Sequence, residues 1–147
     1  MNEVERIADQ LHRSYYGKAW HGPALQELLK DVTPQQAARR TIPGAHTIWE
    51  IVSHIAAWES AASASLSGAA MPALPWEGDW PETVASWKDA QAALSRSTDE
   101  LESQIRKLPA ARLSEAVPGR KYSIYFLLHG VVQHNLYHAG EIALLKK

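Results

Sequence analysis

The chain has 147 residues, 46% of them apolar and 21% charged, which suits a single globular domain over residues 1–147 and excludes a disordered or collagen-like polymer. Fifteen Lys and Arg against sixteen Asp and Glu give a formal charge of -1, so no nucleic-acid partner and no anionic membrane surface is expected. Zero cysteines exclude disulfides, thiolate metal ligands and a cysteine nucleophile.

Helical periodicity dominates the chain. Val4, Ile7, Leu11 and Tyr15 make one apolar stripe and predict a first long helix that ends near Gly17. The opening residues, MNEVERIADQLHRSYY, are charged and amphipathic, unlike a signal peptide, and no apolar run reaches the ~18 residues of a membrane span. A cytoplasmic location is therefore expected. Gly22 and Pro23 interrupt the pattern, and Pro23 suits the opening of a short helix through Leu25, Leu28 and Leu29. Pro34, Pro43 and Gly44 then leave room for one or two helical turns at most.

A second long helix has a strong start, because Thr47 followed three residues later by Glu50 is a capping-box pattern. It runs through Ile48, Ile51, Val52, Ile55, Trp58 and Ala62 and stops near Ser67 and Gly68. The longest connection follows, residues 68–81, where Pro72, Pro75 and Pro81 break any helix. Pro81 would suit the first turn of a third helix, whose stripe is Trp87, Ala90, Leu94, Ser97, Leu101, Ile105 and Leu108. After a second break, a fourth helix is expected from about Tyr122 to Leu145. Four such patterns without a strand pattern predict an all-α four-helix bundle, with a long crossover between the second and third helices that could reach a non-adjacent helix.

Histidines interrupt the apolar stripes. His134 and His138 lie four residues apart on the fourth helix, so their imidazoles can converge on one face. His54 occupies a comparable stripe position in the second helix. Neutral imidazoles in an apolar core need partners, and one divalent ion can take a nitrogen from each. The plainer reading is hydrogen-bonded core histidines. Three imidazoles with a fourth position left open would form a catalytic centre rather than a sealed structural one.

The other titratable residues divide by position. Glu141, one turn beyond His138, could be a fourth ligand, an acceptor that orients His138, or a catalytic general base; the plain alternative is a surface glutamate. His129 falls on another face, His12 is expected to meet solvent or a neighbouring helix, and His21 and His46 lie in breaks where they could line a pocket mouth. Glu50 is accounted for by the capping box, and Glu59 is expected to point away from His54 into a salt bridge or helix-end role. Asn135 follows the first histidine of HxxxH where zinc proteases carry Glu, so that signature is absent. Ile51 and Asn135 occupy the positions where a di-iron bundle would need Glu. Trp49, Trp58 and Trp87 read as core, while Trp20, Trp76 and Trp80 could wall a ligand pocket.

Taken together, GAHTIWEIVSHIAAWE (residues 44–59) and HGVVQHNLYHAGEIALL (residues 129–145) resemble the DinB/YfiT-like superfamily of metalloenzymes. The resemblance implies a four-helix bundle with a crossover, often dimeric. It also implies one divalent ion, zinc or nickel, on His54, His134 and His138. Characterised relatives include transferases that use low-molecular-weight thiols such as bacillithiol, and a mycothiol-dependent isomerase. Where relatives commonly carry Gln after the last histidine motif, this chain has Glu141. The expected function is thus a metal-dependent transferase that activates a small thiol for attack on an electrophile. A metal-dependent hydrolase using bound water and a non-enzymatic metal-braced bundle are the alternatives. A homodimer is expected, with no choice of interface helices.

Overall fold

A computed structural model describes residues 1–83 and 86–147. Helix α1 spans Glu3–Tyr16, and two single-turn helices follow, α2 (Leu25–Leu29) and α3 (Pro34–Ala38). Three long helices complete the chain: α4 (Ile48–Leu66), α5 (Trp87–Lys107) and α6 (Ile124–Leu145), with a 3₁₀ turn at Ala110–Ser114 before the last. No strand forms among the described residues. The bundle core is α1, α4, α5 and α6; α1 and α4 each pack on both α5 and α6, so α1 and α4 face each other diagonally.

Local sequence chemistry sets the helix ends. Thr47 Oγ1 accepts from the Glu50 amide at 3.1 Å, and Glu50 returns a carboxylate to the Thr47 amide at 2.7 Å. Two of the orphan amides that open α4 are thereby satisfied. Thr47→Ala should cost about 1 kcal/mol, read as a fall of ~2–4 °C in the melting point. Ser123 caps α6 through the Phe126 amide at 3.2 Å. The third bundle helix begins later than Pro81 suggests. Pro81, Glu82 and Thr83 are irregular, residues 84 and 85 lie outside the described residues, and α5 opens at Trp87 with Ser86 accepting from the Asp89 amide. A helix-capping serine at that point defines the start better than a proline that is merely tolerated in a first turn.

Two apolar clusters reveal the helix directions. Ile48, Ile51 and Ile55 of α4 share one cluster with Trp87, Ala90 and Leu94 of α5, while Ala62 and Leu66 share the other with Leu101 and Ile105. The two helices therefore run the same way. By the same reasoning α1 and α6 run opposite to them, since Val4 and Ile7 lie with Ile124 and Leu127, and Tyr15 lies with Ile142. Parallel neighbours cannot be joined by a tight turn, so the chain after Leu66 must return along the length of the bundle. The crossover connects adjacent helices, and the diagonal steps are α1 to α4 and α5 to α6. Met71 and Leu74 lie against α6, and Pro81 and Glu82 lie beside α4 and α5, so the return path crosses the outside of α4.

Between the apolar clusters lies a polar layer drawn from all four bundle helices. Glu59 of α4 has no exposed surface. Its Oε2 accepts from Ser97 Oγ at 2.6 Å and Thr98 Oγ1 at 2.9 Å on α5, and its Oε1 accepts from Asn135 Nδ2 at 2.9 Å on α6. Ser14 of α1 is 3.5 Å from Asn135 Nδ2. The expectation that Glu59 serves in a salt bridge or at a helix end is thus overturned. Helix α4 is covered by two bundle neighbours and the crossover, so it buries more than the single stripe read from its apolar residues. Burial, ahead of the hydrogen bonds that oppose it, pushes the Glu59 carboxyl up to about 7.

Candidate metal centre

The polar layer fixes the rotation of α6, because Asn135 faces the bundle centre while its neighbour His134 is turned toward α4. His54 enters from α4, and His138 follows His134 by one turn. Nε2 of His134 lies 3.0 Å from Nε2 of His54 and 3.1 Å from Nε2 of His138. His54 and His138 are buried, and His134 is half-buried. All three nitrogens lie within 4.8 Å of one another, a cluster capable of coordinating a metal ion. Tetrahedral ligands at ~2.0–2.1 Å from zinc would stand about 3.3 Å apart, so only small ring movements separate this geometry from a coordination shell.

Hydrogen bonds on the far side of two rings fix which nitrogen points inward. A backbone carbonyl can only accept, so Nδ1 of His54 carries the proton that it donates to the Asp79 carbonyl. Nδ1 of His138 donates to Glu141 Oε2 at 2.9 Å. In their neutral forms both rings therefore present a bare Nε2 lone pair to His134. One proton on His134 Nε2 could be shared between these lone pairs, whereas a divalent cation would accept from all three nitrogens. The residues fit a metal on that chemistry. Burial first, then His138 and His54, drives the His134 imidazole down to about 3, and burial likewise lowers His54, so both favour the neutral, ligating form.

The crossover closes one side of the cluster. Asp79 lies with Oδ1 3.3 Å from His54 Nδ1 and accepts there from Trp58 Nε1 at 2.7 Å. Trp80 stacks on His54 with centroids 3.8 Å apart, and His46 stacks on Trp80 at 3.4 Å. His46 thus reaches the centre only through an indole. Trp76 meets the edge of Trp58 at 5.0 Å, and Gly78 permits that fold, since a Cβ there would lie 2.2 Å from the Trp76 ring. Beside the cluster a largely apolar cavity of about 400 Å³ reaches His54 and His134, walled by Trp58, Met71, Leu127 and Val131, with Asp79 also in its lining.

The remaining histidines stay apart from the cluster. His129 faces Glu3 of α1 at 3.6 Å, His12 pairs with Glu102 of α5 at 3.0 Å, and exposed His21 contacts the Pro23 carbonyl at 3.3 Å. Among the tryptophans, Trp87 is core, as its stripe implies, while Trp58 also walls the cavity. Trp20 is fully exposed and walls nothing. The roles of Asp79 and Trp80 beside His54 were not read from the sequence, because an irregular segment has no period that would aim a side chain. The short run Asp79-Trp80-Pro81, which pairs a polar anchor with a flat ring, was the available signal.

No curated protein and no solved structure matches the chain. A family model described as the DinB superfamily matches residues 19–142, from just after α1 into the last turns of α6. That span contains His54, His134 and His138, and the chain belongs to the DinB superfamily.

Proposed function

We propose that the chain is a metal-dependent transferase in which His54, His134 and His138 hold one divalent ion, zinc or nickel, to activate a low-molecular-weight thiol for attack on a small electrophile. The observation that carries this reading is the convergence of three Nε2 atoms at the wall of an apolar cavity. The chain has no cysteine, so the nucleophile must come from a cosubstrate. When bound, the ion would supply the positive charge that lowers the pKa of a thiol at a position left open by the three histidines.

The protein side of the chemistry is positional. The Asp79 carbonyl and Glu141 hold His54 and His138 in the tautomers that aim Nε2 inward, the usual outer-sphere task at metal-binding imidazoles. Trp80 covers the outer face of His54 and excludes water there. The cavity wall of Trp58, Met71, Leu127 and Val131 suits the apolar part of an uncharged electrophile. We assign Glu141 the positioning role rather than that of a base, since its carboxylate is engaged by His138 and does not line the cavity. Glu141→Gln should weaken metal affinity about 10- to 100-fold with little change in the melting point of the metal-free protein, measured by competition with a chromophoric chelator.

The same reading places this activity in the cytoplasm. Among the described residues no helix is long and apolar enough to cross a membrane. The test of function is turnover by protein stripped of metal and then reloaded, with a thiol and a panel of electrophiles. The transferase reading expects product only when both metal and thiol are present. Metal-dependent hydrolysis without thiol would favour the hydrolase, and metal binding without turnover would favour a braced bundle.

A further inference from the structure

Helix α6 carries a glycine beside the histidine cluster that the fold itself does not require. Gly130 lies inside the helix, where glycine is destabilising relative to alanine. Its backbone is helical, so no turn demands it, and a Cβ built on it would meet nothing within 4 Å. Alanine would therefore fit without a clash and hold the helix better. What Gly130 does is line the cavity, one turn after Phe126 and one turn before His134. The open space at Gly130 thus joins the histidine end of the cavity to its outer end.

That outer end is an apolar mouth. Phe126 and Leu74 line the cavity and are 63% and 67% exposed, so apolar surface runs from the inner wall out to solvent. Tyr122 packs on Phe126 there, with ring centroids 5.2 Å apart. Such surface stays in contact with water unless a ligand covers it. Eight residues of helical rise put Phe126 about 12 Å from His134 along α6. The volume of about 400 Å³ is that of a small-molecule site. Among the described residues no Lys or Arg lines the cavity, and Asp79 is its one carboxylate. An anionic tail would meet a like charge and no cationic side chain to offset its lost hydration.

We propose that the cavity takes an uncharged electrophile bearing an unbranched apolar chain of about eight to ten carbons, laid over Gly130 along α6. The reacting end lies at His54 and His134, and the chain runs out past Leu127 and Val131 to the mouth at Phe126 and Leu74. This names the substrate class of the transferase and rests on that reading for the reacting end alone. Gly130 is the specificity-determining residue, because its hydrogen leaves the room that a chain occupies and any larger side chain would shorten it.

Calorimetric titration of straight-chain alcohols, from butanol to dodecanol, into the metal-free protein tests the cavity apart from metal and turnover. Affinity should rise about 3- to 4-fold per methylene and level off once the chain passes the mouth. Alkanoates of equal length should bind at least ~10-fold more weakly. Gly130→Leu should cut octanol affinity at least ~10-fold while the melting point holds or rises. Phe126→Ser, at an exposed position, should move the plateau to shorter chains. Gln133→Leu adds an apolar side chain at an exposed position of α6 outside this cavity and should change neither. Affinity indifferent to chain length, as when protein covers the mouth, overturns the proposal. So do alkanoates that bind as tightly as alcohols, or a profile that neither Gly130→Leu nor Phe126→Ser alters. Metal-loaded protein given a thiol and uncharged electrophiles of the same chain lengths separates the two readings. Binding that grows with chain length without turnover refutes transfer alone, and turnover indifferent to chain length refutes the chain alone.

Discussion

If the proposed centre holds one divalent ion per chain, His134→Ala should abolish that stoichiometric binding, the largest effect expected of any single substitution in the centre. Its Nε2 is the shared neighbour of the other two, at 3.0 and 3.1 Å, so its loss leaves His54 and His138 without the group that links them. Affinity should fall by more than the ~10- to 100-fold that accompanies loss of an outer-sphere partner, because a direct ligand is removed. The same loss should appear in stability. An ion present at about 1,000 times its dissociation constant stabilises the fold by ~4 kcal/mol, which raises the melting point by roughly 10 °C in a chain of this length. That rise should vanish in the variant, while the metal-free form keeps its helix content through Leu127, Val131 and Ile142. His129→Ala, on the α1 side of the helix, should leave stoichiometry and the metal-induced rise unchanged. Isothermal titration and thermal melts with and without chelator measure both.

Glu59→Gln should make the protein more stable than the wild type at pH 8 and remove a stability loss that the wild type shows as pH rises from 4.5 to about 7. The Glu59 carboxyl is raised to about 7 in the fold by burial, against 4.5 as its ordinary value. The folded chain therefore binds more protons than the unfolded chain between those values. This stabilisation is fully present below pH 4.5 and is lost as pH rises through 7. At ~1.4 kcal/mol per pH unit the total is about 3 kcal/mol. The network can serve both protonation states. Ser97 and Thr98 each reach either Glu59 Oε2 or the Leu94 carbonyl, so their hydroxyls can donate to the carboxylate, or turn to Leu94 and accept from the acid. Glutamine copies the second arrangement permanently, its oxygen accepting from Asn135 and its amide donating to the hydroxyls. His134 acts in the opposite sense. Held down to about 3, it makes the metal-free fold lose stability as pH falls below 6.5. The difference between wild type and Glu59→Gln across pH 5 to 9, measured by denaturant melts, isolates the carboxyl from the histidines. A difference that is flat with pH would refute the assignment. Glu59→Ala, which takes the acceptor from Asn135 and opens a cavity, should cost about 3–5 kcal/mol below pH 4.5 and less above pH 7, where the wild type has lost its own carboxyl-linked stability.

Much of the fold was legible where one physical signal decided the outcome. The reciprocal Thr47 and Glu50 side chains mark the start of α4, and the stripe from Trp87 to Leu108 is buried in α5 as its spacing implies. The histidine cluster was legible for a related reason, since polar rings at apolar stripe positions must be satisfied by something. Glu59 was misread as a salt-bridge or helix-end residue because one stripe was assumed to be the whole buried surface of its helix. The path of the crossover over His54 was not legible either. Asp79 and Trp80 are placed by contacts made across 21 to 34 residues of chain, with Trp58, His54 and His46, and no local pattern encodes such contacts. The parallel course of α4 and α5 likewise emerges only from which ends share a core.

The central claim is that three imidazoles from α4 and α6 hold one ion at the wall of the apolar cavity. Crystals grown with zinc or nickel in excess, with anomalous data collected on both sides of the metal absorption edge, test it most directly. The account predicts a single anomalous peak bound by Nε2 of His54, His134 and His138 at about 2.0–2.2 Å, with a remaining position open toward Trp58 and Val131. An ion found elsewhere in the metal-replete protein, or three rings that share no ion, would contradict it.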